Sequence, residues 1–509
     1  MNLKRVILSP YGVSFLAGCL ASFSLPPLFI LPAFLALGYC FYHAAIAPNW
    51  RIAAAHIGAG AYGYFLLSLY WISHSLLVGD AEYLFMLPVS FFGVPIIVSL
   101  FWLVFGVAGY LLAKQAVTRL IFIIAGISLG EWGREFIATG FPWNAPGLLF
   151  LVHDMPAQLA AYGGQTWLNA LAFIIAAIWP LCRLVPHARR AILASSGLVF
   201  TLFALMAWLQ MMEMPQASET GDKIVRLVQP HIAQADKWNR ERRPYHLAKM
   251  ARLASDNISA PADLIILPES AFAGDYHLYE GLVADVVSQI KAPHQQQGGA
   301  AHLIMGALRF AADDSLRNSA LLYEGRKDEP VIYDKTHLVP FGEYVPWRAI
   351  PFIDAIAGPL DFEPGRAVYP VPIDGIGQAL ILICYEAIFP QLVSRSPKRA
   401  DILINITNDA WFGHTAGPHQ HLAQTRMTAI SYGIGMLRVA NTGITAGFDA
   451  KGRSLGAISL GQEASLDLPL PLPLASTFFA RFGTTLFFIV IGMLVISGLM
   501  LDHIHRNRQ

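Results

Sequence analysis

Charge is what this sequence has least of. Of its 509 residues only 14% are charged and 55% are hydrophobic. An average soluble domain carries about a quarter charged residues, so a wholly water-soluble chain is excluded. Net charge is also scarce. At +1 the chain has no strong field of one sign, and no nucleic-acid partner is expected. There are four cysteines, Cys19, Cys40, Cys182 and Cys384. Three lie in or beside apolar runs and only Cys384 lies in polar sequence, which excludes a disulfide within the polar region. No His, Cys and Asp cluster has metal-ligand spacing, and no cofactor is expected. Repeats and low-complexity tracts are absent.

The charge that exists is unevenly placed. The chain has 35 basic and 34 acidic residues, and only 15 of these precede residue 216. The first part suits lipid and most of the remainder suits water. Apolar runs near the length of about 20 residues needed to span a bilayer fall at 7–25, 28–47, 52–72, 84–112, 120–137, 157–181, 191–210 and 479–501. Pro88 and Pro95 make the fourth run bent or partly interfacial. The first run follows Lys4 and Arg5, as in a signal peptide. No small-residue cleavage site follows, so an uncleaved anchor is expected. This divides the chain into a transmembrane bundle over 1–215, a soluble domain over 216–475, and a last spanning helix with a short tail over 476–509.

Short loops set the orientation. With the N-terminus inside, the inner segments hold Lys4 and Arg5, then Arg51, then Lys114 and Arg119, then Arg183, Arg189 and Arg190, and finally Arg506 and Arg508. The outer loops near 26–27, 73–83 and 138–156 hold no Lys or Arg, but do hold Asp80, Glu82 and Asp154. This positive-inside pattern puts residues 211–478 outside the cytoplasm. Glu131, Arg134 and Glu135 fall near the outer end of the fifth run. Charge at that depth is costly unless paired, and either an interfacial or a functional role fits them.

From residue 223 the pattern changes. Short β-branched and apolar runs, bounded by turn residues, predict strands at 224–228, 263–269, 302–308, 319–325, 330–335, 378–384, 401–407, 436–441 and 444–449. Helices are predicted near 239–259, 278–291, 386–397 and 418–434. Runs such as LIIL and ALILI are apolar throughout, so both faces of those strands must be covered. An α/β or α+β layered sandwich follows.

Three of these strands end on a reactive side chain. LIILP runs into Glu269, VIYD into Lys335 and ALILI into Cys384. A nucleophile on a sharp strand-to-helix turn is exposed beside backbone N–H groups able to bind an oxyanion. Taken singly the residues say little. A lone buried Cys is usually a small hydrophobe, and a lone Glu or Lys at a strand end is usually solvated.

Taken together with their surroundings they say more. LPES (267–270), YDKTHLVPFGEYVP (333–346), ICYEAIFP (383–390) and NDAWFG (408–413) resemble the Glu–Lys–Cys motifs of the nitrilase superfamily. Within it, with QPHIAQADKW (229–238) and GPHQHLAQTRMTA (417–429), they resemble the apolipoprotein N-acyltransferases. The resemblance covers nearly the whole chain. It implies a nitrilase-like αββα sandwich beside a polytopic helical bundle of about eight spans. It also implies acyl transfer from a phospholipid donor to the N-terminal amine of a diacylglyceryl apolipoprotein. The expected catalytic residues are Glu269 as base, Cys384 as nucleophile and Lys335 as oxyanion cation, with the Tyr385 N–H beside it. The expected setting is the bacterial inner membrane with the catalytic domain periplasmic, and a monomer.

The resemblance also implies supporting roles for Glu343, Tyr385 and Glu386. Without it, Glu343 reads as a solvated loop carboxylate and the other two as a helix first turn in which Glu386 favours the helix dipole. Trp238 and Trp411 fit lipid contacts or core packing equally. Loops at 341–347 and 351–360 are expected at the mouth of a pocket opening toward the bilayer. His337, His414, His419 and His421 are expected only as loop or helix polar groups. Ser431 and Ile434 stand where the family usually has an acidic residue and an Arg.

Three rival functions remain at this stage. A membrane-tethered nitrilase-type amidohydrolase would use the same chemistry with water as acceptor, but tethering needs only one span. A transporter is opposed by the intact triad and the lack of mid-depth charge pairs, and a scaffold partner by the intact triad.

Overall fold

In the computed structural model the described residues are 9–78, 81–214, 222–327, 329–346, 348 and 361–507. They form two compact units, Met1–Glu213 with Ser476–Gln509, and Met214–Ala475.

The first unit is helical. Its main helices are α1 (Pro10–Ser22), α2 (Leu37–Ala45), α3 (Trp50–Ser68), α4 (Val94–Leu111), α5 (Ala116–Gly133), α6 (Ala160–Leu184) and α7 (Arg189–Met212), with Thr485–Arg506 at the C-terminal end. Among the described residues five helices are long and apolar enough to cross a membrane. A sixth counts if α3 and Tyr70–Val78, bent by 50°, form one broken span. Among the described residues the expected count of about eight is therefore not confirmed. The run at 7–25 gives only the 13 residues of α1, and Lys4 and Arg5 lie outside the described residues. The run at 28–47 is split into a 3₁₀ segment, Leu31–Ala36, and the nine residues of α2. Pro26 and Pro27 lie in the break between α1 and Leu31–Ala36, where each removes a backbone donor and blocks helix continuation. Pro32 sits in the first turn of Leu31–Ala45, which together is too short to count as a span.

Along α7 only Ala207 is buried, while Leu198, Leu202, Leu205 and Leu209 are exposed. Such a surface suits lipid, and the protein is membrane-bound. Inside the unit, helices approach backbone to backbone. A Cβ on Gly63 of α3 would come 2.1 Å from the Phe15 carbonyl of α1, and one on Gly109 of α4 2.1 Å from that of Phe122 on α5. Only glycine permits these contacts, the usual device where lipid supplies no hydrophobic drive.

The buried charge at the end of α5 is paired. Arg134 and Glu131 pair at 2.6 Å, both buried. The guanidinium also donates to the Phe141 and Trp143 carbonyls at 2.7 and 2.8 Å. Trp102 Nε1 donates to Glu131 at 2.5 Å, and Thr166 to Glu135 at 2.7 Å. Glu131 and Arg134 are thus paired within the unit rather than snorkelling, and Arg134 anchors the Gly140–Gly147 loop.

The second unit has two sheets. The first orders its strands β13-β1-β2-β4-β5-β6, with β3 also on β4. They are β1 (Ile224–Gln229), β2 (Leu264–Ile266), β3 (Phe272–Asp275), β4 (His302–Phe310), β5 (Leu316–Tyr323), β6 (Val331–Asp334) and β13 (Ala464–Pro469). The second runs β12-β11-β10-β9-β8-β7. Its strands are β7 (Val371–Ile373), β8 (Gly377–Ile383), β9 (Ile402–Thr407), β10 (Gly435–Ala440), β11 (Thr445–Phe448) and β12 (Ser454–Ile458).

Val225, Leu264, Ile266, Ile304 and Leu322 of the first sheet share one core with Ile381, Ile404, Ile406 and Leu437 of the second. The opposite face of the first sheet, through Ile265, Leu303 and Leu321, packs on α8 (Arg243–Ser255) and α9 (Glu280–Gln296). The helices α10 (Pro390–Arg395) and α11 (Ala416–Tyr432) belong with the second sheet. Strands covered on both faces must be apolar at successive positions, which is what their sequences show.

Candidate active site

Strand ends deliver the reactive groups. β2 stops at Ile266, and Leu267 and Pro268 lead to Glu269. Ser270 then takes a φ of 47°. Gly306 of β4 makes this turn possible, since a Cβ there would sit 2.6 Å from Glu269 Cα. β6 leads to Lys335, whose N–H donates to the Asn318 carbonyl of β5 at 2.8 Å. β8 leads to Cys384, at a φ of 53°. A non-glycine residue in that region carries strain of about 1–3 kcal/mol, and the turn lifts the thiol off the sheet.

Glu269 and Lys335 gather with Glu343 in one cluster, and the charges of the first two act on the Cys384 thiol. Lys335 Nζ lies 2.8 Å from Glu343 Oε1 and 3.8 Å from Glu269 Oε1. Asn318 Nδ2 donates to both carboxylates, at 2.8 Å to Glu269 and 2.9 Å to Glu343. The Asn408 N–H holds Glu269 Oε2 at 2.8 Å, and the Val339 N–H holds Glu343 Oε2 at 2.8 Å. Glu343 is therefore a bound partner of Lys335, not a solvated loop carboxylate.

Electrostatics follow this geometry. Burial opposes charge on Lys335, but Glu343, Glu269 and Cys384 outweigh it and hold the pKa above the ordinary lysine value. Burial, then the charge of Glu269, push the Cys384 thiol up to about 12, against the lowering pull of Lys335 and of a hydrogen bond with Thr407. Little thiolate stands ready at neutral pH, so this thiol needs a base at the moment of attack.

Glu386 stands in the first turn of the 3₁₀ helix Cys384–Ile388, caps it, and also braces the nucleophile turn. It is fully buried. Oε2 accepts from the Ile383 N–H at 2.7 Å. Oε1 accepts from the Thr336 N–H, the Thr336 hydroxyl and the His337 N–H at 2.7, 2.8 and 3.0 Å. One carboxylate thus ties the Cys384 turn to the segment after Lys335. Burial raises its pKa, against these hydrogen bonds and Lys335. The Tyr385 ring lies 5.9 Å from that of His337 and 5.0 Å from that of Phe389.

Trp238 and Trp411 are 45% and 38% exposed, so neither packs in the core. Phe341 is also exposed, while Trp347 and residues 349–360 lie outside the described residues. Ser431 bonds the Met427 carbonyl of its own helix at 2.8 Å, and Ile434 is buried just past the Gly433 cap.

Several participants were invisible in the sequence. Asn318 is one. Lys237 is another; it is buried, donates to the Glu269 carbonyl at 3.1 Å, and burial draws its pKa down to about 8 against the raising influence of Glu269 and Cys384. His421 is a third, because its Nε2 lies 3.2 Å from the Cys384 carbonyl. Only the NDAWFG and GPHQH segments hinted at this last group, through their density of polar residues in apolar surroundings. Among the described residues no cluster could hold a metal ion.

Comparison with known proteins gives the family. Residues 224–470 match the carbon-nitrogen hydrolase family, and residues 17–178 match the apolipoprotein N-acyltransferase N-terminal domain. The apolipoprotein N-acyltransferase of Rickettsia prowazekii is 30% identical over 499 residues, covering 96% of this chain and 98% of that protein. The one from Brucella melitensis is 32% identical over 487 residues, covering 90% and 89%.

Proposed function

Because the chain belongs to the apolipoprotein N-acyltransferase family, and is thus an acyltransferase that N-acylates lipoproteins, we propose that it works by ping-pong catalysis through a thioester on Cys384. The observation that carries this reading is the single cluster formed by Glu269, Lys335 and Glu343, in which the charges of Glu269 and Lys335 act on a Cys384 thiol held on a strained turn.

Glu269 takes the thiol proton as the sulfur attacks the ester carbonyl of a phospholipid. Negative charge develops on the carbonyl oxygen, stabilised by the Lys335 ammonium and the Tyr385 N–H. The intermediate collapses, the ester C–O bond breaks, and Glu269 returns the proton to the departing lysophospholipid. The acyl chain is left on Cys384. The α-amine of an S-diacylglyceryl-cysteine then attacks the thioester. Glu269 receives the amine proton and passes it to the departing thiolate. The product is an amide and the thiol is regenerated. An amide is more stable than a thioester, so the second half runs forward without an energy source.

In this scheme Glu343 fixes Lys335 and can orient the incoming amine. Glu386 positions the nucleophile turn, and Tyr385 supplies the N–H. Trp238 and Trp411 contact lipid chains. The enzyme acts as a single chain in the bacterial inner membrane, with residues 211–478 on the periplasmic side.

Mass spectrometry of the purified protein incubated with phospholipid alone tests the chemistry. A fatty acyl adduct on Cys384, labile to hydroxylamine and discharged by a diacylated lipopeptide, is expected. If Cys384→Ala still N-acylates the lipopeptide, direct ester-to-amine transfer replaces the thioester. Reporter fusions test the orientation, and a cytoplasmic signal at residue 300 would overturn it.

A further inference from the structure

Beneath the nucleophile turn lies a buried polar network to which the mechanism above gives no task. His421 comes from α11, Asn405 and Thr407 from β9, Asp409 from the 3₁₀ turn Asp409–Phe412, and Arg438 from β10. All five are buried. Two of them converge on one atom, the Cys384 carbonyl oxygen. His421 Nε2 lies 3.2 Å from it and Asn405 Nδ2 3.4 Å.

A carbonyl oxygen only accepts, so this contact requires the proton on Nε2. The other ring nitrogen lies 3.0 Å from Asp409 Oδ1 and 3.1 Å from Arg438 Nη2. A neutral ring accepts from Arg438 there, and a charged ring donates to Asp409. Both forms keep Nε2–H aimed at Cys384. The second layer is itself fixed. Arg438 pairs with Asp409 Oδ2 at 2.6 Å and bonds Asn405 Oδ1, Thr407 donates to Asp409 at 3.0 Å, and Asn405 also donates to the Leu382 carbonyl at 2.8 Å.

The trans peptide plane makes this anchoring consequential. Its C=O and N–H point in opposite directions. Holding the Cys384 oxygen on the network side fixes the direction of the next N–H, that of Tyr385. Cys384 sits at a φ of 53°, where local backbone preference favours no such arrangement. Rotation of this one peptide would present a carbonyl oxygen in place of a donor. We propose that His421, with Asn405, is a positioning residue that holds the Cys384–Tyr385 peptide with its N–H set for the oxyanion. The proposal rests on the thioester reading above.

Two reactions of the same thiol separate this role from a merely structural one. Acyl loading from a phospholipid passes through an oxyanion. Alkylation by iodoacetamide displaces iodide at a saturated carbon and forms none. With His421→Leu, loading of Cys384 followed by mass spectrometry is expected to slow at least about 10-fold, less than the roughly 10²-fold or more that deleting an oxyanion donor costs because the N–H is misdirected rather than removed, while alkylation changes less than about twofold. His421→Gln, which keeps an N–H donor near the ring position, should restore most of the loading rate. If leucine prevents folding, His421→Asn, whose amide stops short of the carbonyl, is read in its place. Loading and alkylation falling together would overturn the proposal, since thiol supply or fold would then be at fault. Unchanged loading would also overturn it. If the wild-type protein itself forms no adduct, the thioester reading fails and takes the proposal with it. An adduct in the wild type with no change in the variants removes the positioning role alone.

Discussion

The two units bury charge to opposite ends. In the helical unit Arg134 is surrounded: both Glu131 oxygens and two backbone carbonyls accept from it within 3.1 Å. In the sandwich unit Lys335 has one close partner, Glu343 at 2.8 Å, and a second, Glu269, at 3.8 Å. A saturated cation has nothing left to give a substrate and acts as a brace. A cation with a loose second partner can strengthen its bonding as charge develops nearby, which is the condition for catalysis. The comparison predicts rate effects without unfolding in one unit and unfolding without a chemical defect in the other.

The largest effects should come from the thiol and its base. Cys384→Ala is expected to abolish adduct formation and turnover. Cys384→Ser should nearly do so, because a hydroxyl is far less acidic than a thiol. Glu269→Gln should move two measurements in opposite directions. Acyl loading should be lost, since in the proposed scheme the same carboxylate carries the proton in both half-reactions. Yet the charge of Glu269 raises the Cys384 pKa, so removing it lowers that pKa and enlarges the thiolate fraction at a given pH. Alkylation of Cys384 at mildly alkaline pH should therefore speed up. Slower alkylation would show that Glu269 assists the free thiol rather than opposing its ionisation.

Next comes Lys335→Ala, expected to lose at least about 10²-fold in rate, by analogy with removal of an oxyanion donor. Arg134→Ala is its counterpart. Stranding Glu131 without its partner should cost about 3–5 kcal/mol of stability, read as a lower unfolding midpoint and yield in detergent. The protein that does fold should load Cys384 at close to the wild-type rate. If Lys335→Ala unfolds the protein as readily as Arg134→Ala, the contrast between brace and catalyst is lost.

How much was legible depends on the range of the interaction. The strands bearing Glu269, Lys335 and Cys384 were readable because apolar runs ending in a reactive residue are local signals. β3, β7, β12 and β13 were missed. β3 and β7 are only four and three residues long, FAGD and VPI. β12 is half-exposed and closes one edge of its sheet. A helix was expected over 386–397, but Phe389 leaves the helical region before Pro390 and splits it into a 3₁₀ turn and α10. The helix expected from 239 starts only at Arg243, one residue before Pro244, which suits a first turn. The roles of the residues that complete the site were not readable from local sequence. Asn318 meets Glu269 across 49 positions and His421 meets the Cys384 carbonyl across 37. Nothing local distinguishes such an Asn or His from an ordinary polar residue until the sheets pair.

The smallest expected effect tests the rim of the site. Trp238 and Trp411 expose about two-fifths of their surface, 45% and 38%, so truncating either removes few packed atoms. Trp238→Ala and Trp411→Ala should shift stability by no more than about 0.5 kcal/mol, as surface substitutions usually do. If these rings contact the acyl chains of the donor, the lost contacts are present in ground state and transition state alike. The signature is then a raised KM for phospholipid with kcat unchanged. The rise should shrink with shorter-chain donors, which reach fewer ring atoms. A fall in kcat at unchanged KM would place the rings in the chemistry instead. No change in either constant, together with unchanged stability, would remove Trp238 and Trp411 from the supporting residues of the site.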